Sequence, residues 1–422
     1  MVRISSIVLL AVACGGAAPL VPTDVHGVVL GVDSRPLAGA LVSIAGQPAV
    51  TAAADGSFSF AKVLPPYDVL VGFSQGAHSF GTAWIGLRGA SPVLTVAVPQ
   101  GTFEGIACGT VSGAQSGVET LNHASHILLQ APGLLPRVNF VEPPTNQYCA
   151  EAEWIGDPPA QVVANVLEID YAVSDQSGQL ATGFGNYGKS APFALADAQV
   201  VQGVSVALSP ITAGKLHVDT ATPPDATAFQ LSAGVFFGTG TPNLAIPLAQ
   251  LSSGIKSADI AVPLLPDATV FAQLFAITPA GIALTMKTFQ GSGSWSASVP
   301  VNASLTSPLA NATVVAGTKF SWTAAGTGWV NQLDLTNTTS NQLVSLRVVT
   351  ADALATLPDF TIVGVQLPAS QPGTWQVSGL GPVSSIDDFT SEAQLGLANQ
   401  TSYGLSQLSF SQSTARPLSF GP

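Results

Sequence analysis

The sequence predicts an all-β protein that is built from tandem β-sandwich domains. Charged residues make up only 9% of the 422 residues and hydrophobic residues 47%, with 42 Gly and 31 Pro. This composition is typical of short strands joined by turns and does not suit long surface helices. Apolar and polar residues also alternate in many short runs, which is the period of a strand with one buried face. The length allows about two to four domains, and we expect four small sandwiches with almost no helix.

The stretch TAAADGSFSFAKVLPPYDVLV at 51–71 shows this pattern in detail. Asp55–Gly56 predicts a tight hairpin turn, because Gly adopts the positive φ angles that such turns need. Phe58 and Phe60 then fall on one face of a strand that has a buried side. Pro65–Pro66 cannot donate hydrogen bonds to a sheet, so we expect the strand to end there and another to begin at the next residue.

These residues carry a resemblance to a known family. VHGVVLGVDSRPLAGALVSIAG, followed by ADGSFSFAKVLPPYDVLVGF, resembles the carboxypeptidase regulatory-like domain, a small transthyretin-like β-sandwich of bacterial surface proteins. The resemblance covers the chain from Val25 to about Pro99. The matching positions are Gly27, Pro36–Leu37, Gly39–Ala40, Val42, Asp55–Gly56, Phe58 and Tyr67–Val69. The chain lacks the Gly that the family has between the prolines and the Tyr. The resemblance implies no catalysis, because this domain accompanies some carboxypeptidases without containing their zinc site.

The N-terminus predicts export from the cytoplasm. Arg3 precedes the apolar run IVLLAVA, which is too short to span a bilayer, and Cys14 follows it. LLAVAC resembles a bacterial lipobox, although Ala11 and not Leu stands three places before the Cys. The resemblance implies a signal peptide at 1–13, a lipidated tether at 14–24 and, because Gly15 follows the Cys, the outer membrane. The alternative is ordinary cleavage after Ala13, which would leave Cys14 unmodified.

Two further cysteines predict a disulfide. Once Cys14 is assigned to the lipid, Cys108 and Cys149 remain. An even number of cysteines in an exported protein favours a disulfide over free thiols.

The charge-free segment Ala268–Met286 has nearly the length of a membrane span. Thr278–Gly281 interrupts it with a Pro and a Gly, and its flanks are rich in β-forming residues. We therefore predict two short strands and a turn.

Similar hairpins, each followed by a short Val-rich strand, recur along the chain and suggest domain boundaries near residues 100, 211 and 303. We name the resulting β-sandwiches segment 1 (25–100), segment 2 (101–211, with the disulfide), segment 3 (212–303) and segment 4 (304–422). Segment 4 resembles a fibronectin type III-like or immunoglobulin-like module, in which Trp322 is the candidate core Trp and Trp375 lies on a later strand.

The charge of the chain excludes one class of partner. The formal net charge is −12 with only 12 Lys and Arg, and no basic cluster occurs. Phosphate backbones would be repelled, so we expect no nucleic-acid binding.

The sequence predicts no catalytic residue, no metal site and no cofactor. It contains neither an H-E-x-x-H nor a G-x-S-x-G motif. His123 and His126 are three apart on a predicted strand, where they face opposite sides and cannot chelate one ion, so we expect solvent or turn histidines. Asp387–Asp388 and Glu392 lack calcium-loop spacing, and we expect a solvated loop there.

These features favour a non-enzymatic, membrane-anchored surface or periplasmic scaffold or adhesion protein. Its expected partners are the membrane, through the N-terminal lipid, and a surface polysaccharide or another envelope protein. A carbohydrate-binding protein is the alternative, because β-sandwiches often present aromatic platforms to sugars. Trp84, Trp154, Trp295 and Trp329 are the aromatic residues considered for this role, although sandwich cores also use Trp. A divergent hydrolase is a more distant alternative.

Overall fold

The computed structural model describes residues 20–32, 35–44, 47–98, 101–113, 123–131, 134–135, 137–142, 145–154, 157–174, 178–237, 245–252, 254–324, 326–337, 343–383, 385–390 and 407–421. Cys14 and Glu392 lie outside these residues. The predictions of a signal peptide, a lipid anchor and the role of Glu392 are therefore not addressed by the structure.

The strands before residue 101 are β1 (Thr23–Gly31), β2 (Leu41–Ile44), β3 (Val50–Thr51), β4 (Ser57–Val63), β5 (Tyr67–Gln75), β6 (His78–Leu87) and β7 (Val93–Val96). The strands of segment 2 are β8 (Phe103–Ser112), β9 (His123–Gln130), β10 (Leu134–Leu135), β11 (Val138–Phe140), β12 (Gln147–Trp154), β13 (Val163–Ser174), β14 (Gly178–Lys189), β15 (Val200–Val201), β16 (Val206–Ala207) and β17 (Ser209–Pro210).

The strands of segment 3 are β18 (Ala213–Ala221), β19 (Ala228–Phe237), β20 (Ile246–Leu251), β21 (Ser257–Pro263), β22 (Ala268–Thr278), β23 (Gly281–Phe289) and β24 (Gly293–Ser298). The strands of segment 4 are β25 (Ser304–Ser307), β26 (Ala312–Val314), β27 (Lys319–Thr323), β28 (Val330–Asn337), β29 (Val344–Thr350), β30 (Leu354–Thr356), β31 (Pro372–Gly381), β32 (Gln407–Ser413) and β33 (Arg416–Phe420).

Helix is almost absent from the described part of the chain. It consists of a single 3-10 turn, Phe360–Val363, and one short helix, α1 (Ile386–Phe389). The predicted all-β class is therefore confirmed. No helix among the described residues is long and apolar enough to cross a membrane.

One continuous sheet, which we call the long sheet, takes strands from all four segments. Its neighbouring strands follow the order β3, β2, β5, β6, β29, β28, β31, β32, β23, β22, β19, β20, β14, β13, β9 and β11. Every pair on this path is antiparallel except β6 with β29. Segments 1, 4, 3 and 2 therefore follow one another across the sheet, which is not their order along the chain.

Smaller sheets cover the long sheet, one for each segment, and we call them the covering sheets. Their strand orders are β4–β1–β7, β10–β12–β8–β15, β21–β18–β24 and β25–β27–β30. The core lies between the two layers. Segment 1 and segment 4 each have a main apolar cluster, whereas the cores of segments 2 and 3 merge into one cluster. The architecture is a row of two-layer β-sandwiches, and the predicted boundaries at 100, 211 and 303 remain predictions.

The segment with nearly membrane-spanning length forms the predicted hairpin. In β22 the residues alternate between buried and half-exposed along most of the strand, as a strand of period two requires. β22 pairs with β23 over its length, and Thr278 lies opposite Gly281 across the turn. The Pro and Gly of the turn and the alternation along the strand therefore decide its structure, although the segment is free of charge and nearly long enough to span a membrane.

The turn at Asp55–Gly56 differs from the prediction. Gly56 has a φ of 74°, and Asp55 Oδ1 accepts a hydrogen bond from the Ser57 N–H at 3.0 Å, as in a turn. The strands on either side do not pair with each other. β3 pairs with β2 in the long sheet, whereas β4 pairs with β1 in the covering sheet. The predicted hairpin is therefore wrong, and the turn instead carries the chain from one layer of the sandwich to the other.

Segment 4 packs on both faces of the β5–β6 pair of segment 1. On one face lies the 3-10 turn, and a Cβ at Gly72 would stand 2.0 Å from the carbonyl oxygen of Val363. Only a residue without a side chain allows this approach. At the edge, β6 pairs with β29 from Ser79 to Trp84, opposite Val344 to Val349.

On the other face α1 joins the core of segment 1. Ile386 and Phe389 belong to the apolar cluster of that segment, and the Phe389 ring lies 6.0 Å from the Trp84 ring. Asp387 Oδ1 accepts hydrogen bonds from the N–H groups of Arg88 and Gly89, each at 2.8 Å. The predicted solvated loop is therefore wrong for Asp387, because its carboxylate satisfies main-chain donors of a distant segment.

We predict that Phe389→Ala lowers the free energy of unfolding by about 3–5 kcal/mol, because it leaves a cavity against Trp84. Urea denaturation of the whole exported chain measures this change. Leu354→Ala is the control, since Leu354 is 62% exposed, and it should cost less than about 0.5 kcal/mol. Equal losses in the two variants would show that α1 does not complete the core of segment 1.

Candidate functional site

Three of the four candidate sugar-platform residues lie in the core. Trp84, on β6, is 4% exposed and packs on Phe389, while Trp154, at the end of β12, is 1% exposed and stacks on Phe103. Trp295 is buried as well. None of these rings has a face open to a ligand in this structure. Alternation along the strand could have suggested the burial of Trp154, but the contact of Trp84 with α1 is not local in sequence.

Trp329 is in a different environment. It immediately precedes β28, is half-buried, and lies across two glycines of the neighbouring strand β31. A Cβ at Gly381 would be 2.8 to 3.0 Å from three atoms of the indole, and one at Gly379 would be 2.9 Å from Cε3. One face of the ring therefore rests on the main chain of β31. Trp329 is therefore the one of the four candidates that is not fully buried.

A polar group lies beside this ring. Asn331 is buried, and its Nδ2 donates to the Asp352 carbonyl at 3.2 Å. Its Oδ1 has no hydrogen-bond partner in the described part of the chain, and it lies 3.5 Å from where a Gly379 Cβ would stand. This oxygen is buried and not open to a ligand, so the feature that suits stacking on a sugar ring is the flat indole alone.

The predicted disulfide is confirmed. Cys108 on β8 and Cys149 on β12 lie directly opposite each other in an antiparallel pair, with an S–S distance of 2.05 Å. The bond joins residues separated by 41 positions. On the chain-entropy model, closing such a loop stabilises the fold by about 4 kcal/mol. The role of this bond is therefore structural, within the covering sheet of segment 2.

The two histidines of segment 2 both lie on β9, as a strand assignment predicts. His123 Nδ1 is 2.8 Å from Asp170 Oδ1 and is partly exposed. His126 is buried, so the prediction of a solvent or turn histidine is wrong for it. Its Nε2 lies 2.7 Å from the Tyr171 hydroxyl, which also donates to the Pro247 carbonyl of segment 3 at 2.7 Å. The rings of Phe140 on β11 and Tyr171 on β13 lie 4.9 Å and 5.7 Å from the His126 ring and help to bury it.

A second buried polar pair, which sequence reasoning missed, lies nearby on β13 and β14. Glu168 is fully buried, and its Oε2 accepts a hydrogen bond from Asn186 Nδ2 at 2.5 Å. Asn165, on the same strand as Glu168, donates to Gln130 and accepts from the Tyr187 hydroxyl at 2.9 Å. A polar residue within an apolar strand, such as the Glu in VLEIDYAV, is the signal that could have indicated such a pair. These groups bond to one another, as buried polar groups require.

An exposed charged cluster lies on the outer face of β18 and β21. His217 Nδ1 is 2.6 Å from Asp259 Oδ1, and its Nε2 is 3.2 Å from Asp219 Oδ1. Lys215 lies 2.7 Å from the other oxygen of Asp259. The hydrogen bond to Asp259 raises the pKa of His217 above its usual value. The cluster is open to water, where such pairs contribute little to stability.

No group of three His, Cys, Asp or Glu among the described residues could hold a metal ion. The expected lack of catalytic residues, metals and cofactors stays a prediction. The structure thus brings together the disulfide, the buried polar pairs and the exposed cluster around His217, and it leaves Trp329 partly exposed.

The sequence matches no protein-family model and no curated protein. Some solved structures show a weak similarity. The Bacillus anthracis TIE protein is 9% identical over 66% of this chain and 51% of its own, with a TM-score of 0.16. A fimbrilin from Porphyromonas gingivalis is 10% identical over 61% of this chain and 99% of its own, with a TM-score of 0.17. BcpA, the major pilin subunit of Bacillus cereus, is 7% identical over 66% of this chain and 99% of its own, with a TM-score of 0.15.

The chain spans about half the length of the TIE protein. Similarities at these TM-scores do not identify a function, and they assign segment 1 to no family. The resemblances of segment 1 to the carboxypeptidase regulatory-like domain and of segment 4 to fibronectin type III-like or immunoglobulin-like modules therefore stay predictions.

We predict that the stability of the fold depends on the protonation of His126. Burial lowers the pKa of His126 to about 4. In the unfolded chain His126 binds a proton near pH 6.5, whereas in the folded chain it does so only near pH 4. Its contribution to the free energy of unfolding is therefore fully present above pH 6.5 and is lost as the pH falls from 6.5 to 4. We expect the free energy of unfolding to be about 2 kcal/mol lower at pH 5 than at pH 8 through this group.

The measurement is urea denaturation at pH 5 and pH 8 for the wild type and His126→Gln. The variant should lose less stability on acidification than the wild type, because carboxylates contribute equally to both. His26→Gln serves as the control, since His26 is exposed, and it should keep the wild-type dependence. An unchanged dependence in His126→Gln would contradict the buried, neutral state of His126.

Proposed function

We propose that this protein is a non-enzymatic scaffold or adhesion protein of the bacterial surface or periplasm, anchored to the membrane through Cys14. The observation that carries the proposal is the long sheet, which runs through all four segments. Main-chain pairing at each junction holds the segments in fixed relative positions. A protein that displays binding surfaces or holds partners apart needs such a body, and it needs no reaction centre.

The environments of the polar side chains support the non-enzymatic part. Asp387 binds main-chain N–H groups, Glu168 binds Asn186, and His126 is held against Tyr171. Each of these groups is engaged with other groups of the protein, within the core or at a junction between segments. The geometry therefore favours structural roles for them.

Export and anchoring rest on the sequence together with the disulfide. A cross-strand disulfide is typical of oxidising compartments outside the cytoplasm. The charged N-terminal residue, the short apolar run and Cys14 supply the export signal and the candidate acylation site. The outer membrane is the membrane that the residue after Cys14 implies.

We predict that Cys14→Ser moves the protein from the membrane fraction to the soluble fraction or leaves it as unprocessed precursor. The thiol is the acceptor of the lipid, so its loss removes the anchor. Fractionation of cells followed by immunoblotting measures the distribution. Unchanged membrane partition of Cys14→Ser would reject the anchor.

One result would contradict the proposal that the protein is not an enzyme. If the purified exported chain turned over a peptidase, esterase or glycosidase substrate, and one His, Ser or carboxylate substitution abolished this turnover without changing Tm, the protein would be an enzyme.

A carbohydrate-binding function is the second candidate, and one observation favours it. The Trp329 ring is fixed on the main chain of Gly379 and Gly381, and the residue is only partly buried. A ring fixed in this way stacks on a sugar at little entropic cost. A surface polysaccharide is the ligand class that such a single flat platform suits.

We predict that, if this second function holds, the exported chain is retained on a glycan array and Trp329→Ala loses about tenfold in affinity, a loss that corresponds to about 1.4 kcal/mol of stacking. Leu354→Ala is the control in the same segment, since it removes an exposed apolar side chain that is not aromatic. Tm is measured for both variants, and the loss of affinity is assigned to the ring only if Trp329→Ala stays folded at the assay temperature. Failure of the wild type to bind any glycan, or equal binding by Trp329→Ala, would reject the sugar platform.

A further inference from the structure

Three exposed apolar side chains lie at one end of segment 1. Leu20 is 57% exposed, Val21 73% and Leu64 54%. In the antiparallel pair of β1 with β4, Thr23 lies opposite Val63, so the residues just before β1 and just after β4 leave the covering sheet at the same end. We call Leu20, Val21 and Leu64 the apolar tip. Exposed apolar side chains that are grouped in this way favour contact with another protein or with a membrane.

Segment 2 meets segment 1 at the opposite end of β1. β7 runs parallel to β1, and its last residue, Val96, lies beside Gly31, the last residue of β1. From Val96 the chain continues to segment 2. Arg35, which follows β1, also forms an ion pair with Asp157 of segment 2. The apolar tip therefore points away from the junction between these two segments.

The length of chain before the apolar tip limits its distance from a lipid on Cys14. Only five residues, 15–19, separate Cys14 from Leu20. Because an extended chain spans at most about 3.6 Å per residue, Leu20 stands no more than about 22 Å from Cys14. A lipid on Cys14 therefore holds this end of segment 1 close to the bilayer, whereas segment 2 lies beyond the far end of β1.

We propose that the apolar tip inserts into the surface of the bilayer, so that segment 1 stands on the membrane and segment 2 is held away from it. The three side chains then leave water for the boundary between headgroups and acyl chains, where apolar side chains are stabilised. This contact fixes the orientation of the long sheet, which a lipid alone does not fix. The inference rests on the anchoring proposed above and goes further, since it names the surface that faces the membrane.

The charged groups at this end of segment 1 are compatible with lipid headgroups. Lys62 and Arg88 are exposed, and cations of this kind attract the phosphate groups of lipids. Two carboxylates nearby are bonded to the main chain. Asp24 accepts the Lys62 N–H at 2.9 Å, and Asp387 accepts the N–H groups of Arg88 and Gly89. Charges of the acidic chain that lie more than about 10 Å away are largely screened at physiological salt.

The lipidated full-length chain in vesicles of phosphatidylethanolamine and phosphatidylglycerol tests the proposal. Mass spectrometry identifies the lipid on Cys14, and co-flotation with the vesicles measures anchoring. Leu64→Cys then introduces a thiol at the apolar tip for a fluorescent label. This thiol is the only free one, because the lipid occupies Cys14 and Cys108 is bonded to Cys149.

A phospholipid with a nitroxide near its headgroup quenches a label that touches the bilayer. Val200→Cys is the control position, since Val200 is 50% exposed and lies in segment 2. We expect the label at Leu64 to be quenched at least threefold more strongly than the label at Val200, because the apolar tip lies at the depth of the nitroxide. Tm confirms that each labelled variant is folded, and Val21→Cys provides a second labelling position at the tip.

A matched pair of substitutions tests whether the apolar side chains make the contact. Val21→Asp, added to the chain labelled at Leu64, places a charge in the tip and should lower the quenching at least twofold, because a charge is costly to bring into the bilayer. Val200→Asp makes the same exchange in segment 2 and should leave the quenching at Leu64 unchanged. When the label is at Val21, Leu64→Asp takes the place of Val21→Asp.

The outcomes separate this proposal from the anchor. Equal quenching at Leu64 and Val200 in a lipidated chain that floats with the vesicles would overturn the membrane contact of the tip and leave the anchor intact. Quenching at Leu64 that Val21→Asp does not change would also overturn it, since the contact would not depend on the apolar side chains. A chain without lipid on Cys14 that does not float would reject the anchor and, with it, the contact of the tip.

Discussion

The hydrogen-bonded path of the long sheet is the constraint on which the rest of the structure depends. In a separate sandwich, β6, β20 and β32 would be candidates for unpaired edges. Here β6 pairs with β29, β32 with β23, and β20 with β14, so each junction between neighbouring segments is made of main-chain hydrogen bonds. Unpaired strand edges promote association with other chains. Joining segments edge to edge removes this exposure and fixes their relative positions at the same time.

Several side-chain features follow from that pairing. Because β29 lies beside β6, the rest of segment 4 reaches both faces of segment 1. Gly72 then has to lack a side chain to admit the 3-10 turn, and Asp387 is placed to accept the N–H groups of Arg88 and Gly89. The merged core of segments 2 and 3 has the same origin, since β14 and β20 bring their apolar faces into one layer.

The features that the sequence could predict are local ones. A hairpin at β22 and β23 could be predicted because strand period and turn chemistry act over a few residues. The signals were the alternation along both strands and the Pro and Gly at the turn. The Cys108–Cys149 bond followed from counting cysteines. The sheet that a strand joins depends on residues far along the chain. Asp55–Gly56 therefore signals a turn but not that its two strands enter different layers, and the burial of His126 and Trp84 depends on β11, β13 and α1.

Main-chain pairing in the long sheet also decides where candidate binding sites can lie. Interior strands of the long sheet have main-chain partners on both sides, so their peptide groups are not available to a ligand. Binding through the main chain is confined to places where the path ends or where a covering sheet has an edge. Segment 1 places both kinds of edge side by side, with β3 at the end of the long sheet and β4 at the edge of its covering sheet, although Ala53, Asp55 and Gln47 already bond outward groups of β4. Trp329 illustrates the other possibility, in which a side chain lying over glycines is only partly buried although the strand beneath it is fully paired. A rigid body formed by edge pairing thus leaves recognition to its remaining edges and to side chains on its faces.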